Sequence, residues 1–402
     1  MGRRVVLSLV GTRPNFMKIA PIQAALARRP DEFEHALVHT GQHYDDEMSA
    51  VFLEELGVGD PDYELGIGSA PREEQIARVV ERLPAVLREV APDVVLVPGD
   101  VNSTLGGALA AAREGIALAH VEAGLRSFDP TMPEEANRMG ADALSALLFT
   151  HSPEARDNLL REGAAPEQIH EVGNTMIDTL FAMRGRIAAA AAPQRHGLEP
   201  GRYVVVTLHR PALVDDDALL IETMEHLAAL ADEYEVMFPV HPRTRRALER
   251  LRAQPRQEAL RLTPPLGYVE FLGLVADAAA VVTDSGGLQE ETTALGVPCF
   301  TLRDNTERPI TVELGTNTLL GLEPARLRDV PELLRRRADA PTKQPPLWDG
   351  RASERIAGVL ARADLTLKPR SRLNAATLAA LRYPLVPMNV CGAAAKSSTA
   401  AS

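Results

Sequence analysis

The feature that most constrains the fold is a regular alternation of short, apolar, β-branched runs with helical stretches. Runs such as RVVLSLVG, VVLVPG and YVVVTLH are each followed by a segment of helical pattern. Strands that alternate with helices form parallel sheets, because the helix carries the chain back to the starting end of the next strand. The sequence therefore predicts an α/β fold with parallel sheets.

The pattern extends over most of the chain and restarts once, around residues 172–179. With 402 residues the chain is too long for one ordinary core, and 45% hydrophobic residues suffice to fill two. We expect one domain over 1–172 and a second over 173–347. The predicted helices are 17–29, 47–56, 73–90, 103–114, 135–146 and an alanine-rich 180–193, and the strands of the second unit are YVVVTLH, EVMFPVH, VVTDSGG and PCFTLR.

The ends of the chain and its composition exclude several classes of protein. A net charge of −12 argues against a nucleic-acid or anionic-membrane surface, and no apolar run approaches the ~20 residues of a membrane span. Two cysteines make neither a disulfide framework nor a metal cluster. The N-terminus is interpreted as a first strand, and the protein as cytoplasmic. Residues 365–402 have no capacity to form a core and are predicted to be disordered.

The segment VVTDSGGLQEE (281–291) has the layout of an anion site: a strand, a glycine turn and a helix. Backbone N–H groups at a helix start are unpaired and partially positive, so Ser285, Gly286 and Gly287 would present donors to a phosphate. Glu291 lies about one turn further on the same face, where its carboxylate could accept hydrogen bonds from sugar hydroxyls. A nucleotide site is one interpretation, and an ordinary helix start is the other.

Polar residues follow the ends of most predicted strands. In open parallel sheets ligands bind at the carboxyl edge, so two such sheets facing each other would gather these residues around one cleft. The sequence thus predicts a single site between the two units. The positions are Arg13, Gln42, His43, Asp100, Glu122, His209, His241 and Asp284–Ser285.

Two motifs of the first unit place charge at a helix start. GTRPNFMK (11–18) sets Arg13 and Lys18 where they would suit a diphosphate leaving group, with a capped helix and solvated cations as the alternative. In PGDVNST, Asp100 is a candidate acid or base, or simply a helix cap.

Two further motifs, HVEAGLRS (120–127) and MPEEANR (132–138), crowd carboxylates and arginines near turns. Carboxylates that converge near arginines predict a site that moves protons on a polar substrate. Taken alone, Pro133-Glu134-Glu135 is also a good first helical turn. The candidates in these motifs are His120, Glu122, Arg126, Glu134 and Arg138.

The second unit adds VVVTLHRP, which ends in His209 and Arg210, and FPVHPRT, which contains His241. A lone histidine is more often structural than catalytic. The loop LRDNTERP places Glu307 and Arg308 where they could line the same cleft. No HxxxH pair or Cys/His cluster exists at ligand spacing, so no metal is predicted.

Several of these motifs, in this order, resemble those of the non-hydrolysing UDP-N-acetylglucosamine 2-epimerases over about residues 4–360. The resemblance implies a GT-B-like architecture of two Rossmann-like, doubly wound domains facing a central cleft, with residues 348–364 as a helix crossing back to the first domain. The motifs are GTRPNFMK, TGQH, GDVNST, HVEAGLRS, MPEEANR, VGNTMID, TLHRP, PVHPRT, LGYVEFLGLV, DSGGLQEE and RDNTERP.

The resemblance also implies an activity. Members invert C2 of UDP-GlcNAc by removing the C2 proton, expelling UDP to give a 2-acetamidoglucal, and adding UDP back after reprotonation on the other face. No metal or NAD is needed, and a homodimer is expected. By the family's motifs the catalytic groups are Asp100, Glu122, Glu134 and His209, and the UDP-binding positions include Arg13, Lys18, His241, Ser285 and Glu291.

The chain departs from the best-known bacterial members in three places. YDDEMS follows TGQH, GDVNST replaces the commoner GDTTS, and the loop between Glu122 and Glu134 is shorter. The first difference puts allosteric activation by the substrate in doubt. The other two indicate a subgroup whose sugar differs from plain GlcNAc. Rival functions are a hydrolysing 2-epimerase that releases ManNAc and UDP, a GT-B glycosyltransferase, and a catalytically inactive nucleotide-sugar-binding protein.

Overall fold

The computed structural model of the protein describes residues 2–42, 56–251, 257–337 and 343–365. Within these ranges every strand belongs to one of two wholly parallel sheets. The first sheet consists of β1 (Arg4–Val10), β2 (Phe33–His39), β3 (Tyr63–Glu64), β4 (Val94–Pro98), β5 (Ala117–Val121), β6 (Leu147–Thr150) and β7 (Ile169–Glu171). The second consists of β8 (Tyr203–Thr207), β9 (Glu235–Pro239), β10 (Leu260–Thr263), β11 (Ala280–Thr283), β12 (Cys299–Thr301) and β13 (Asn317–Leu319).

Helices connect and cover these strands. Those of the first half are α1 (Arg13–Ala27), α2 (Arg72–Val90), α3 (Asn102–Glu114), α4 (Pro133–Leu144), α5 (Pro153–Arg161) and α6 (Thr175–Ala189). The others are α7 (Ala192–Arg195), α8 (Pro211–Val214), α9 (Asp217–Leu230), α10 (Pro242–Leu251), α11 (Tyr268–Ala276), α12 (Gly286–Leu295), α13 (Ile310–Glu313), α14 (Val330–Arg337) and α15 (Ala352–Arg362).

Both sheets have the same winding. The strand orders are β3-β2-β1-β4-β5-β6-β7 and β10-β9-β8-β11-β12-β13, so the order reverses between β1 and β4 and again between β8 and β11. At such reversal points the helices leave on opposite faces and open a crevice at the carboxyl ends of the strands. The predicted fold class of two doubly wound parallel sheets is confirmed.

The central strands are buried on both faces. Val94 to Val97 in β4 and Val204 to Val206 in β8 have no exposed surface. Strands covered by helices on each side need apolar residues at successive positions rather than in alternation, which explains runs such as VVLV and VVV. This continuous burial leaves the strand ends as the only part of each strand where polar groups are placed at low cost.

The C-terminal helix α15 returns to the first half and packs against α1. The carboxylate of Asp178, on α6, accepts hydrogen bonds from the backbone N–H groups of Ala352 at 3.0 Å and Ser353 at 2.7 Å, which caps the start of α15. At its other end, the Arg4 guanidinium donates to the Leu360 carbonyl at 2.6 Å. The last described helix is thus bonded to the first strand.

Some elements differ from the sequence prediction. Helix α1 begins at Arg13 rather than at residue 17, because Asn15 Oδ1 accepts from the N–H groups of Gly11 and Thr12 and so closes the turn before it. The alanine-rich helix begins at Thr175 rather than at 180, with Asn174 as its cap. Four short strands (β3, β7, β10 and β13) and several helices, among them α5, α9, α10, α11 and α14, were not predicted.

Other predictions remain open. His43, the predicted helix 47–56 and nearly all of the tail lie outside the described residues. The limits of the two domains, 1–172 and 173–347, stay predictions. In the described ranges no helix is both long and apolar enough to cross a bilayer.

Candidate functional site

Glu122, directly after β5, has a carboxylate that contacts residues from both halves of the molecule. Its side chain is buried, yet it forms ion pairs with Lys18 of α1 and with Arg308, which lies after β12 and donates to Glu122 Oε1 at 2.8 Å. Burial raises the pKa of Glu122, but the charges of Lys18 and Arg308 outweigh burial and hold this pKa below its ordinary value. Glu122 is therefore ionised, and its carboxylate is paired with one cation from each half of the molecule.

The backbone at Glu122 is unusual as well. Its φ is +71°, in the left-handed region that costs a residue with a side chain about 1–3 kcal/mol. The N–H groups of Glu122 and Ala123 both donate to the Phe149 carbonyl, at 3.1 and 3.0 Å. These bonds hold the turn and fix the direction in which the carboxylate leaves the sheet.

Two glycines allow the cations to reach Glu122. A Cβ at Gly99, whose φ is +66°, would lie 2.7 Å from Lys18 Nζ, and a Cβ at Gly286 would lie 2.6 Å from Arg308 Nη1. Both distances are far below van der Waals contact. Glycine at these positions is thus part of the site, since any side chain would displace one of the cations.

Asp100, after β4, is held at the edge of the cleft. Arg138 donates to Asp100 Oδ2 at 2.6 Å and also to Glu135 at 2.9 Å, while Asn137 donates to the Asp100 carbonyl at 2.9 Å. The Asp100 side chain keeps 21% of its surface exposed, so it remains open to a ligand. Arg138 therefore orients the candidate acid or base while the cleft side stays free.

The two adjacent glutamates of α4 have different roles. Glu135 is buried and accepts hydrogen bonds from Ser127 N and Oγ, both at 2.9 Å, and from Phe128 N at 3.1 Å, so it holds the preceding loop. Glu134 is partly exposed, and its charge acts on Arg210 of the opposite half. Of the two, Glu134 is the one placed to meet a ligand.

His120 and Arg126 turn out to support the site from behind. The buried ring of His120 lies 2.7 Å from both the Gly99 carbonyl and Asp142 Oδ1, and Asp142 accepts from Arg126 at 2.7 Å. Arg126 also donates to Glu162. This network fixes the turn that carries Asp100 and faces the protein interior.

In the second half, His209 is oriented by Asp284. His209 Nδ1 lies 2.9 Å from Asp284 Oδ1, and Asp284 Oδ2 accepts from the N–H groups of His209 and Arg210, each at 2.7 Å. Asp284 is fully buried. Burial raises its pKa, but its bonds to His209 bring that pKa below the ordinary value. The sequence predicts Asp284 among the polar strand ends around the cleft, but it does not reveal that Asp284 orients His209.

His241 lies beside this pair. Its ring centroid is 5.4 Å from that of His209, and its Nδ1 accepts from Arg243 N at 3.2 Å. Burial and the neighbouring His209 lower the pKa of His241. A neutral imidazole at neutral pH is the form that can still accept or donate a hydrogen bond to a phosphate oxygen.

The start of α12 has the features of a nucleotide site. Ser285 is the N-cap, and the N–H groups of Gly286 and Gly287 lie in the first turn, where a helix has no internal acceptors. Glu291, one turn later, is buried and accepts from Tyr268 Oη at 2.8 Å. Burial raises its pKa to about 7, against an opposing effect of the Arg13 charge, which indicates that Arg13 faces Glu291.

Behind α12 the charges form a buried network. Glu307 accepts from Arg303 at 2.8 Å and from Arg308 at 3.3 Å, and Arg308 Nε lies 3.1 Å from Glu290. Burial raises the pKa of Glu307, but these arginines lower it well below its ordinary range. Glu307 thus acts as a counter-ion that positions Arg308, and Arg308 makes the contact to Glu122.

His151 and Glu290 complete this network, and neither was predicted. Their ligand atoms and that of Glu122 lie within 4.8 Å of one another, a spacing that could hold a cation. Lys18 and Arg308 already supply positive charge at this point. The three residues come from separate segments, so no sequence spacing could reveal the group.

Gln42 is bonded to Ser103 at the start of α3. Its Oε1 accepts from Ser103 N at 3.1 Å and Ser103 Oγ at 2.7 Å, which joins the turn after β2 to the start of α3. Its role in substrate binding stays a prediction.

Comparison with known proteins agrees with this geometry. A family model described as UDP-N-acetylglucosamine 2-epimerase matches residues 24–361. The chain belongs to this family. It is 40% identical over 329 residues to a UDP-N-acetylglucosamine 2-epimerase of Methanococcus maripaludis, covering 79% of this chain and 88% of that protein.

Two further 2-epimerases are informative. A UDP-2,3-diacetamido-2,3-dideoxy-D-glucuronate 2-epimerase of Pseudomonas aeruginosa is 38% identical over 321 residues, covering 79% of this chain and 88% of the relative. The crystal structure of the Methanocaldococcus jannaschii UDP-GlcNAc 2-epimerase in complex with UDP-GlcNAc and UDP matches with a TM-score of 0.80 at 38% identity, covering 89% of this chain and 99% of that chain. The predicted family and enzyme class are confirmed, and the roles of single residues stay predictions.

The two walls of the cleft carry different kinds of groups. One wall carries Asp100, Glu122 and Glu134, and the other carries His209 and the start of α12. Carboxylates suit the movement of a proton, and a helix start suits the binding of a diphosphate.

Proposed function

We propose that the protein catalyses the reversible C2 epimerisation of a UDP-N-acetylhexosamine, converting UDP-GlcNAc or a modified relative to the manno isomer. The observation that carries this proposal is that the buried carboxylate of Glu122 is paired with Arg308 of the other half, close to the glycine-rich start of α12, in a chain of the 2-epimerase family. No NAD or metal takes part in the proposed reaction.

In this mechanism a carboxylate removes the C2 proton while the C1–O bond to UDP breaks. The electrons of the C2–H bond form the C1=C2 double bond of a 2-acetamidoglucal, and the electrons of the C1–O bond leave with UDP. A proton is then added to the opposite face of C2, and UDP returns to C1. Because the C2 proton is weakly acidic, the departing diphosphate needs strong stabilisation.

The residues divide between these two tasks. We assign proton transfer to Asp100, Glu122 and Glu134, with His209 acting on the leaving diphosphate. Ribose is assigned to Glu291, whose carboxylate would accept hydrogen bonds from the diol. The remaining UDP or substrate contacts are assigned to Arg13, Lys18, Gln42, His43, Arg138, Arg210, His241, Ser285, Gly286, Gly287, Glu307 and Arg308.

An acidic sugar is a second candidate substrate, and one observation favours it. The Arg210 side chain makes no ion pair with any residue in the described ranges, and its Nε is buried without a hydrogen-bond partner there. Burial and the nearby charge of Arg303 lower its pKa, whereas the charges of Glu307, Glu134 and Asp284 raise it, and an added anion at the side chain would further offset the first two effects. A uronate carboxylate would be such an anion, and the Pseudomonas relative is named for a uronate substrate.

NMR in D2O tests the reaction directly. The protein is incubated in parallel with UDP-GlcNAc and with UDP-2,3-diacetamido-2,3-dideoxy-D-glucuronate. Epimerisation predicts deuterium at C2 and an intact nucleotide sugar of manno configuration. Free sugar would identify a hydrolysing enzyme, and sugar transfer only when an acceptor is added would identify a glycosyltransferase. An inert C2–H bond in both substrates would refute the proposal.

The role of Asp100 is tested with Asp100→Asn. This change keeps the shape of the side chain but removes a proton acceptor, so C2 exchange should fall by about 10²–10⁴-fold while UDP affinity stays within twofold. Asp157→Asn, an exposed carboxylate on α5, is the matched control and should exchange at the wild-type rate. Undiminished exchange in Asp100→Asn would remove Asp100 from the mechanism.

A homodimer and a cytoplasmic location are part of the proposal, supported by the family resemblance and by the composition of the chain. Sedimentation of the purified protein would test the first, and fractionation of the source cells the second. A monomer at micromolar concentration would contradict the dimer.

A further inference from the structure

His151 is a buried histidine that the proposed mechanism does not use. It follows β6 and has 4% of its surface exposed. The ring of Trp348 packs edge-on against it, with centroids 5.8 Å apart at 85°, and the Trp348 indole N–H donates to the His151 carbonyl at 2.9 Å. Trp348 therefore packs against the imidazole and fixes the backbone of His151.

The polar atoms around the imidazole retain bonding capacity. His151 Nε2 lies 3.2 Å from Glu290 Oε1, but the two are not aligned for a hydrogen bond. Within the described ranges neither ring nitrogen of His151 and neither carboxylate oxygen of Glu290 has a hydrogen-bond partner. Glu290 Oε1 is in ion-pair contact with Arg308 Nε and His151 Nε2, whereas no such contact reaches His151 Nδ1 in the described ranges. A buried polar group left unpaired costs about 1–3 kcal/mol, which indicates a further bonding partner for this nitrogen.

A small cavity adjoins them. Its volume is about 10 Å³, and its lining includes Glu122, His151, Asn174 and Thr175. A water molecule needs roughly 10–15 Å³ and two to four polar neighbours, so this cavity fits one water and no larger ligand. The water would lie behind the Glu122 carboxylate and beside the imidazole.

The charges around this point are nearly balanced. Lys18 and Arg308 oppose the carboxylates of Glu122 and Glu290, and Glu154 acts on the imidazole from α5. Burial lowers the pKa of His151, but its proximity to Glu290 and Glu122 outweighs burial and raises this pKa. Adding one proton to the imidazole is thus compatible with the local field.

We propose that His151 is a positioning residue that acts through Glu122: the cavity that both side chains line holds one water, and through this water the imidazole exchanges a proton with the Glu122 carboxyl group. The proposal rests on the proposed function, in which Glu122 carries a proton to or from C2. It supplies what that role requires, because a carboxyl group that has accepted a proton in a closed site must release it before the next turnover.

The exchange balances without another reactant. The protonated Glu122 carboxyl group gives its proton to the water, and the water gives one of its own protons to a ring nitrogen of His151. Glu122 returns to a carboxylate paired with Lys18 and Arg308, and the imidazolium is paired with Glu290. The reverse transfer returns the proton to the Glu122 carboxylate. The total charge of the cluster stays the same in either direction.

The experiment combines two substitutions of His151. His151→Gln retains a polar side chain that can bond the water but cannot take up its proton. It should lower kcat at least tenfold, leave KM and UDP affinity within twofold, and remove the ionisation of His151 from the pH profile of kcat. His151→Ala opens space for free imidazole, and added imidazole should restore kcat in proportion to its unprotonated fraction.

A purely structural role predicts something else. It would give a loss of kcat equal at every pH and no response to imidazole, and either unchanged kcat or this uniform loss would overturn the proposal. If His151→Ala does not fold, the pH profile of His151→Gln decides. Wild-type C2 exchange in D2O is measured beside both variants, and its absence would refute the proposed function instead.

One readout needs no turnover. The titration of the His151 ring is followed by NMR in the wild type and in Glu122→Gln. Loss of the Glu122 charge should lower the pKa of His151, and an identical titration in both proteins would exclude the coupling.

Discussion

The assignment of Glu291 to the ribose predicts that UDP affinity depends on pH, and the size of this dependence follows from the pKa of Glu291. Its carboxyl group is buried against Tyr268, and burial raises its pKa to about 7 from an ordinary value near 4.5. The carboxylate form accepts the stronger, charge-assisted hydrogen bonds from the ribose hydroxyls, whereas the protonated form accepts weaker ones. Between pH 6 and pH 8 the ionised fraction rises from about 9% to about 91%, so the contribution of Glu291 to UDP affinity should increase about tenfold.

The substitution that tests this is Glu291→Gln, which keeps the size of the side chain and a partner for Tyr268 Oη. At pH 8 the loss of charged hydrogen bonds should weaken UDP binding by about 10- to 150-fold, corresponding to about 1.5–3 kcal/mol. At pH 6 the wild type is mostly protonated, so the difference should shrink about tenfold. The ratio of the two affinities cancels the titration of the phosphate and of other groups.

The same substitution should stabilise the protein. A folded-state pKa above the unfolded value means that the folded state holds a proton that the unfolded state releases, so stability falls as pH rises from about 4.5 to about 7. The cost of ionising buried Glu291 is about 3 kcal/mol at 1.36 kcal/mol per pH unit. Glu291→Gln avoids it, and its free energy of unfolding should exceed that of the wild type by up to this amount at pH 8 and by little at pH 4.5.

Calorimetric titration with UDP at pH 6, 7 and 8, and urea unfolding at pH 4.5 and 8, measure the two effects. The control ligand is 2′-deoxy-UDP, for which wild type and variant should differ less. An affinity ratio that stays within twofold across this range, or equal stabilities at pH 8, would refute the assignment of a buried, titrating carboxylate to the ribose.

Two more substitutions probe the cleft. Arg308→Met should lower the free energy of unfolding by about 3–5 kcal/mol, because it leaves Glu122 and its neighbours buried without their counter-charge; urea unfolding measures this, and a loss below 1 kcal/mol would contradict it. Asp284→Asn keeps its shape but removes the charge that orients His209, so kcat should fall at least tenfold with UDP affinity nearly unchanged; steady-state kinetics measure this, and equal loss in kcat and affinity would indicate a collapsed site instead.

The sequence predicts the location of the site better than its contacts. Parallel strands place their carboxyl ends at one edge, so the positions of Asp100, Glu122 and His209 follow from the strand pattern alone. The strand pattern does not predict which charged side chains form ion pairs with each other. Arg308 and Glu122 are 186 residues apart and follow strands of different sheets, so only the folded arrangement of the two halves brings them together.

The missed strands have a local cause. β3 has two residues, β7 and β13 have three each and β10 has four, which is too short for a clear periodicity to appear. His151 and Glu290 were missed for another reason: a single histidine or glutamate next to a strand or inside a helix carries no signal until its partner is known. The supporting role of His120 was likewise invisible, because its partner Asp142 lies inside a helix that was predicted on other grounds.

The closure of the chain by α15 has a consequence for its biosynthesis. The Arg4 guanidinium in the first strand bonds the Leu360 carbonyl, 356 residues later. At a translation rate of about 5–20 residues per second, the first strand leaves the ribosome roughly 20–70 s before its last partner is made. During that interval the face of α1 that α15 covers lacks this partner, so we expect the nascent first half to present apolar surface to chaperones.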